Sequence, residues 1–366
     1  MGVVSGTEGA PGTMRAVILT GHGGLAMLEH RDDVPVPQPA ADEVLIAVAA
    51  CGINNTDVNT RTGWYSRTGR SATGDAVATS TADGGWGGAV TFPRIQGADP
   101  VGRIVAVGTS VPTGRVGQRV LVDGWLRSPD GALEHARYLG SEVDGGFAEY
   151  VVVPARNAHA VDSDRSDVEL ASVPCSYATA EHMLHRAGVR AGQWVLVTGA
   201  SGGVGRALVQ LATRRGARVV AVTSAQKCAA VGEWGADVVL DRDADDLPAA
   251  VRDATGGVDV FADVVGGRWF APLLDTVRRG GHYTTAGAVA GAEVTLDLRT
   301  LYLRDLTFHG ATVLPPEVFA ALVGYVERDE VVPVVARTYP LEELAAAQEA
   351  FMTRRHAGAI VIEIAT

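Results

Sequence analysis

One stretch narrows the possible fold more than any other: "VLVTGASGGVGRALVQLA", residues 195–212. An apolar run of strand character meets a glycine-rich turn, and apolar residues at helical spacing follow. Ala200, Ser201, Gly202, Gly203, Val204 and Gly205 form a GxGxxG variant with Ala in the first place. Gly202 lets a backbone approach a pyrophosphate, and Gly205 permits close helix–strand contact. The helix N-terminus supplies N–H donors and the positive end of a dipole. A tight glycine turn without a ligand is the alternative reading. The setting decides for a dinucleotide site, because the motif lies between a strand and a helix in a repeating series.

That series spans the middle of the chain. "QWVLVTG", "ARVVAVTS", "ADVVL", "VDVFADVVG" and "GGHYTTAG" read as strands. "GGVGRALVQLATRRG", "QKCAAVGEWG" and "FAPLLDTVRR" read as helices between them, and "SDVELASVPCSYATAEHMLHRAGV" as a helix before them. Alternating units of this kind predict an α/β, doubly wound parallel sheet over residues 161–310. The earlier part is different. "MRAVILT", "EVLIAVAACGI", "VGRIVAVG", "QRVLVDGW" and "FAEYVVVP" are short strand-like runs cut by Gly, Pro and Asp, which predicts a folded-over β domain. Residues 14–160 are assigned to it, and 311–366 return to it as helices and a closing strand. Residues 1–13 read as a disordered tail. The Ser/Thr/Gly/Ala-rich stretch 66–90 is a substrate-side lid or a plain insertion.

The end of the second strand of the series bears on the cofactor. A site for NAD usually has a carboxylate about 20 residues beyond the glycines. Here "ARVVAVTSAQK" offers Thr223, Ser224 and Lys227 and no acid. A hydroxyl and an ammonium suit a 2′-phosphate, so NADP(H) is the expected cofactor. Lys227 as a solvated helix residue is the competing reading.

Composition excludes several classes. A net charge of −11 over 366 residues argues against nucleic acid or an anionic membrane as partner. Three cysteines without CxxC spacing give neither a disulfide framework nor a zinc ribbon. With no apolar h-region at the start and no apolar run of membrane length, a cytoplasmic enzyme acting on a small molecule is expected.

In order, "GADPVGRIVAVG", "VGQRVLV", "GGFAEYVVVP", "TAEHML" and "VLVTGASGGVG" resemble the medium-chain dehydrogenase/reductase superfamily, nearest its zinc-free quinone oxidoreductase and enoyl reductase branch. The resemblance covers about residues 14–366. It implies a GroES-like β-rich catalytic domain with a Rossmann domain inserted into it, and by family habit a homodimer. Catalytic zinc ligands of the superfamily would fall on Asn54, Ala98 and Cys175, so one ligand type of three survives. The region of the four-cysteine structural lobe, 123–144, holds no cysteine. A lone thiolate cannot build a three-ligand zinc centre, and Cys175 reads as a small buried residue. His182 and His185, at a helical i,i+3 step, read as a packed or solvated helix face.

Deprotonating an alcohol, with a pKa of about 15.7 for a water-like hydroxyl, is hard without a Lewis acid. Hydride addition to an electron-poor acceptor is easier. The expectation is therefore a zinc-independent NADPH-dependent reductase of a conjugated C=C (enone or enoyl) or of a quinone. A zinc alcohol dehydrogenase with atypical ligands and a non-catalytic NADPH-binding protein are the alternatives. Asn54, Asp57, Asn59, Gly63 and Tyr65 match the N-x-x-D-x-N-x-x-x-G-x-Y segment of mitochondrial-type enoyl thioester reductases. By that resemblance Tyr65 is the proton donor or the carbonyl-orienting group. Asn54 donates a hydrogen bond where zinc would sit, and Asp57 holds the loop rather than serving as a base. Thr179 matches the family's Thr beside the nicotinamide. Gly287 and the weaker candidate His309 lie on later strand ends, where such folds bind cofactor.

Overall fold

The computed structural model describes residues 11–65 and 89–364. Most of the 66–90 stretch, with Arg67, Arg70 and Trp86, lies outside the described residues. So does the tail up to residue 10, and a strand already begins at Thr13.

Two lobes emerge. The nucleotide-type lobe is a six-stranded sheet in the order Val238–Asp241, Arg218–Thr223, Trp194–Val197, Val258–Asp263, Val277–Thr285, Thr307–Gly310. Every pairing in it is parallel. The first of these strands in the chain, Trp194–Val197, has the second on one side and the fourth on the other. The strand order therefore reverses at this strand, and its carboxyl end opens into the crevice where such sheets bind ligands. All four of its residues are buried, as a strand covered on both faces requires. Each fully buried Val or Leu of this kind stabilises the fold by about 1.5–3 kcal/mol.

The other lobe carries the sheet Ala158–Ala160, Arg119–Val122, Asp99–Val107, Glu43–Gly52, Ala359–Glu363, Val335–Pro340, with Tyr150–Pro154 also paired to Glu43–Gly52. Its central pair, Glu43–Gly52 with Asp99–Val107, is antiparallel and carries two register shifts. A smaller sheet joins Leu28–Pro35, Thr13–Leu19 and Arg94–Ile95. The last strand of the chain pairs antiparallel with Glu43–Gly52. The fold is thus the α/β combination anticipated, a GroES-like β-rich lobe and a Rossmann-type parallel sheet.

Details differ from the sequence reading for local reasons. The single helix expected over 166–189 is two, Asp167–Leu170 and Pro174–Arg186. Pro174 supplies no N–H and starts a new helix at its first turn. The helix expected through Arg279 stops at Leu274, and Val277 begins a strand. Asp246, with Ala249 N–H donating to its carboxylate at 2.9 Å, caps an unanticipated helix, Leu247–Thr255.

Helix Gly203–Arg214 also ties the lobes together. Arg206, on its first turn, is fully buried and donates to the Val334 carbonyl at 2.7 Å. Its guanidinium lies 5.8 Å from the Tyr177 ring centroid and 5.9 Å from that of Trp234.

Candidate active site

The glycine loop builds the cofactor side. The strand ends at Val197 and the tight turn falls on Gly199, at φ +61°, whose carbonyl accepts from Gly202 N–H at 2.9 Å. The turn-making glycine is therefore Gly199, a residue that the reading with Ala200 in first place passed over. Ala200 is buried and its N–H donates to Val222 O at 3.1 Å. Gly202 caps helix Gly203–Arg214. A Cβ on Gly205 would lie 2.1 Å from the Gly199 carbonyl oxygen, and one on Gly203 would lie 2.5 Å from Ser176 Oγ. At Gly205 the obstacle is backbone and excludes a side chain, whereas at Gly203 it is the end of the Ser176 side chain; the close helix–strand approach assigned to Gly205 is present. Ser201 and Val204 flank them on the loop and the first turn, partly exposed.

The next strand ends at Thr223, whose Oγ1 is buried with no hydrogen-bond partner among the described residues. Ser224 follows. Lys227 is not a solvated helix residue: its Nζ donates to Arg354 O at 2.7 Å and to His356 O at 2.8 Å. Burial, and then nearby Arg242, lower its pKa from the usual lysine value. Two of its three ammonium hydrogens thus hold the chain's returning segment. Gly287 stands two residues past strand Val277–Thr285, its carbonyl accepting from Thr285 Oγ1 at 3.1 Å. His309 is paired to another histidine, with its Nε2 3.0 Å from His282 Nδ1.

The acceptor side forms where the lobes meet. Asn54 caps helix Asn55–Thr62, and its N–H donates to Asp57 Oδ2 at 2.8 Å. Asp57 Oδ1 accepts from Gly97 N–H at 3.1 Å. Both carboxylate oxygens of Asp57 are thus spent on backbone donors, which makes it a positioning residue. Burial pushes its pKa up to about 7, against the pull of the Asn54 and Gly97 N–H groups. The side chain of Asn54 reaches a neighbouring strand of its own lobe and, across the seam, the other lobe. Its Nδ2 donates to Asp99 Oδ2 at 2.8 Å, and its Oδ1 accepts from Ser176 Oγ at 3.2 Å. Asp99 Oδ1 accepts from Cys175 N–H at 2.8 Å. Burial raises the Asp99 carboxyl to about 8, and the donors from Asn54 and Cys175 oppose it.

Helix Pro174–Arg186 presents Cys175 and Thr179 one turn apart, both partly exposed. Cys175 is therefore less enclosed than the sequence reading had it. Its thiol hydrogen-bonds Tyr138 and Thr179, and burial holds its pKa well above the ordinary thiol range. The Tyr65 hydroxyl is bonded to Asn59 and Thr56 of the preceding helix, and burial raises its pKa above the usual phenol value. A left-handed Gly63, at φ +69°, ends that helix and turns Tyr65 back toward it. Of the residues marked in the sequence, Asn54, Asp57, Tyr65, Thr179 and the glycine loop converge. His182 is buried, and that burial lowers its pKa to about 4, while His185 is exposed, so the two do not share a site. Among the described residues no group of three or more His, Cys, Asp or Glu could hold a metal ion.

Three residues of this centre went unmarked. Asp99 and Ser176 lie far from Asn54 in the chain. Tyr138 comes from the region where the structural zinc lobe would lie. There Trp125–Leu126 and Arg137–Tyr138 form a small hairpin. Tyr138 packs on Trp125 with ring centroids 4.6 Å apart and carries its hydroxyl to Cys175. The signal in the sequence was the Trp and Tyr in a stretch stripped of cysteine.

Residues 40–163 match the alcohol dehydrogenase GroES-like domain, and residues 203–328 match the zinc-binding dehydrogenase domain. The crystal structure of a provisionally assigned alcohol dehydrogenase from Sinorhizobium meliloti 1021 superposes with a TM-score of 0.90 at 46% identity, over 98% of this chain and 99% of that one. The chain belongs to the medium-chain dehydrogenase/reductase superfamily. It is 30% identical to acryloyl-coenzyme A reductase of Metallosphaera sedula, over 95% of this chain and 99% of the relative. It is 28% identical to quinone oxidoreductase of Lama guanicoe, over 92% and 93%. A 2-octenoyl-CoA carboxylase reductase in complex with NADP and 2-octenoyl-CoA superposes with a TM-score of 0.84 at 28% identity, over 98% of this chain and 89% of that one. The protein is thus an oxidoreductase-family chain with a Rossmann-type site for a nicotinamide cofactor. No helix among its described residues is long and apolar enough to cross a membrane.

Proposed function

We propose that the protein is a zinc-independent, NADPH-dependent reductase of conjugated C=C bonds in enones or enoyl compounds, or of quinones. One observation carries the reading: the donor set at the superfamily's metal position. Asn54 has its amide committed to Asp99 and Ser176, Ala98 has no donor atom, and burial keeps the proton on Cys175. These residues do not fit a three-ligand zinc centre. They do fit an acceptor carbonyl, which needs hydrogen-bond donors where negative charge develops.

The cofactor side fits NADP(H). The exposed backbone at Gly202, where a Cβ would meet nothing nearer than the Gly199 carbonyl oxygen at 3.4 Å, lets a pyrophosphate approach, and the helix Gly203–Arg214 opens toward it. The unpartnered Thr223 hydroxyl, Ser224, Lys227 and Arg242 gather around the strand end that would hold the adenosine ribose. Held by these residues, NADPH would supply hydride for an electrophilic carbon. Asn54 donates to the carbonyl oxygen as it becomes enolate-like. Tyr65, its proton held tightly, hydrogen-bonds the same region or returns a proton to the neighbouring carbon, and Thr179 and Gly287 border the nicotinamide. The NADP and enoyl-CoA complex of the 28% identical structure supports the same pairing of cofactor and acceptor.

The test is oxidation of NADPH across enals, enones, enoyl thioesters and quinones, with and without chelator. Turnover that survives chelation supports the reading. Stoichiometric tightly bound zinc with alcohol oxidation overturns it in favour of an alcohol dehydrogenase, the description given to the 46% identical structure. Cofactor binding without any turnover leaves a binding protein instead.

We further propose a homodimer formed at the outer strand Thr307–Gly310. It pairs on one side only among the described residues, and exposed Leu298, Tyr302 and Leu303 lead into it. A lone exposed sheet edge with apolar neighbours is a template for a second copy. Light scattering should give twice the chain mass. A monomer that stays monomeric at high concentration rejects the proposal.

A further inference from the structure

Asp99 sits at the crossing of both lobes, and its two oxygens face groups with different freedom. The Cys175 N–H can only donate, so Asp99 Oδ1 must accept there, at 2.8 Å. Asp99 Oδ2 then meets the edge of the Asn54 carboxamide, which could present either its NH2 or its oxygen. The NH2 side faces Asp99 at 2.8 Å and the oxygen faces Ser176 Oγ at 3.2 Å. The main chain of Asn54 is already fixed by the Asp57 carboxylate. Rotation of the carboxamide is the freedom that remains, and Asp99 in its ionised form, which can only accept, removes it. There is little slack around Asp99, since a Cβ on Gly52 would lie 3.1 Å from its Oδ2 and 2.2 Å from the Ala171 carbonyl oxygen.

We infer that Asp99 is a positioning residue for the reduction. It turns the NH2 edge of Asn54 so that one hydrogen is anchored and the second is presented to the acceptor carbonyl. The inference rests on the reductase reading above. It assigns the orientation of the catalytic donor to a carboxylate 45 residues away in the chain, and gives Ser176 the accommodating part, since a hydroxyl can donate or accept.

Asp99→Asn is the decisive variant because it is isosteric and can be fully satisfied. Its carboxamide oxygen still accepts from Cys175 N–H, and its NH2 then demands the oxygen of Asn54. The Asn54 amide must rotate by half a turn and donate to Ser176. We expect a melting temperature and an NADPH affinity close to those of the wild type. Single-turnover hydride transfer should slow by about 10²-fold, the scale for losing one oriented donor to a developing oxyanion. The pair Asn54→Asp with Asp99→Asn is the second arm. It rebuilds the hydrogen bond with donor and acceptor exchanged, so it should fold and bind NADPH but not recover the rate. If Asp99→Asn does not fold, this pair alone decides.

A wild-type rate in Asp99→Asn overturns the inference. So does a double variant that regains rate and melting temperature together, or a failure of both proteins to fold, since either makes Asp99 a strut. If the wild type itself oxidises NADPH with no acceptor in the panel, the reductase reading fails instead.

Discussion

The two halves of the active site are built in opposite ways. On the cofactor side seven consecutive residues, Gly199 to Gly205, do the work largely through their backbone and through missing Cβ atoms. On the acceptor side Asn54, Asp99, Tyr138, Cys175 and Ser176 come from four separate segments and act through side chains. A backbone cradle tolerates no added atom but asks little of its neighbours. A side-chain cluster depends on the polarity of every member. The lesson is that the first half fails by steric exclusion and the second by loss of orientation.

That contrast can be broken by mutation. The largest effect is expected from Gly205→Val. Its Cβ would meet the Gly199 carbonyl oxygen at 2.1 Å, with no flexible group to give way. NADPH binding should vanish in a fluorescence titration, and a variant that binds normally would show that the Gly205 approach does not shape the cofactor site. Asn54→Leu comes next. It should lower kcat by about 10²–10³-fold with NADPH affinity nearly kept, as stopped-flow binding would show. Tyr65→Phe should cost about 10-fold or more in kcat if the phenol serves the proton transfer, and an unchanged kcat would remove Tyr65 from the chemistry. Lys227→Met should lower the preference for NADPH over NADH, read as the ratio of the two kcat/KM values. Because Lys227 also holds Arg354 and His356, a fall in melting temperature with an unchanged ratio would make it a strap only.

The smallest effect is the dependence of stability on pH. Asp57 and Asp99 have folded pKa values raised to about 7 and about 8 from the model-peptide value of 3.8. The folded state therefore binds more protons than the unfolded state between those limits. Stability from this pair is full at low pH and declines as pH rises from about 4 through 8. Asp99→Asn should flatten the slope of melting temperature against pH, and an unchanged slope would place the titration elsewhere.

The same contrast explains what could be seen in the sequence. The glycine loop and the parallel sheet were legible because their signals are local: "VTGASGGVG" sits between an apolar strand and a helix of matching period. Even there, the turn glycine was misplaced by one residue, since a left-handed φ at Gly199 leaves no mark beyond the glycine itself. The acceptor side was half legible. Asn54, Asp57 and Tyr65 share one motif, but nothing in a linear reading places Asp99 or Ser176 beside Asn54. Asp99 comes there because it pairs with Gly52 in the antiparallel sheet, and Ser176 because the end of strand Glu43–Gly52 and the start of helix Pro174–Arg186 meet across the lobes. Lys227 shows the converse: its charge was visible, but its carbonyl partners lie in a distant segment.

Arg206 has a consequence for anyone treating the nucleotide lobe as a portable cassette. Its cation stands on the first turn of the helix that faces the cofactor, yet its Nη1 is held from behind, by the Val334 carbonyl of the segment that leads back to the other lobe. A hydrogen bond to a charged group of this kind contributes about 1.5–3 kcal/mol. Excising residues 161–310 would leave that charge in an apolar seam between Tyr177 and Trp234, without its carbonyl. A transplant therefore has to carry the Val334 segment with it or replace Arg206 by an uncharged residue of similar volume.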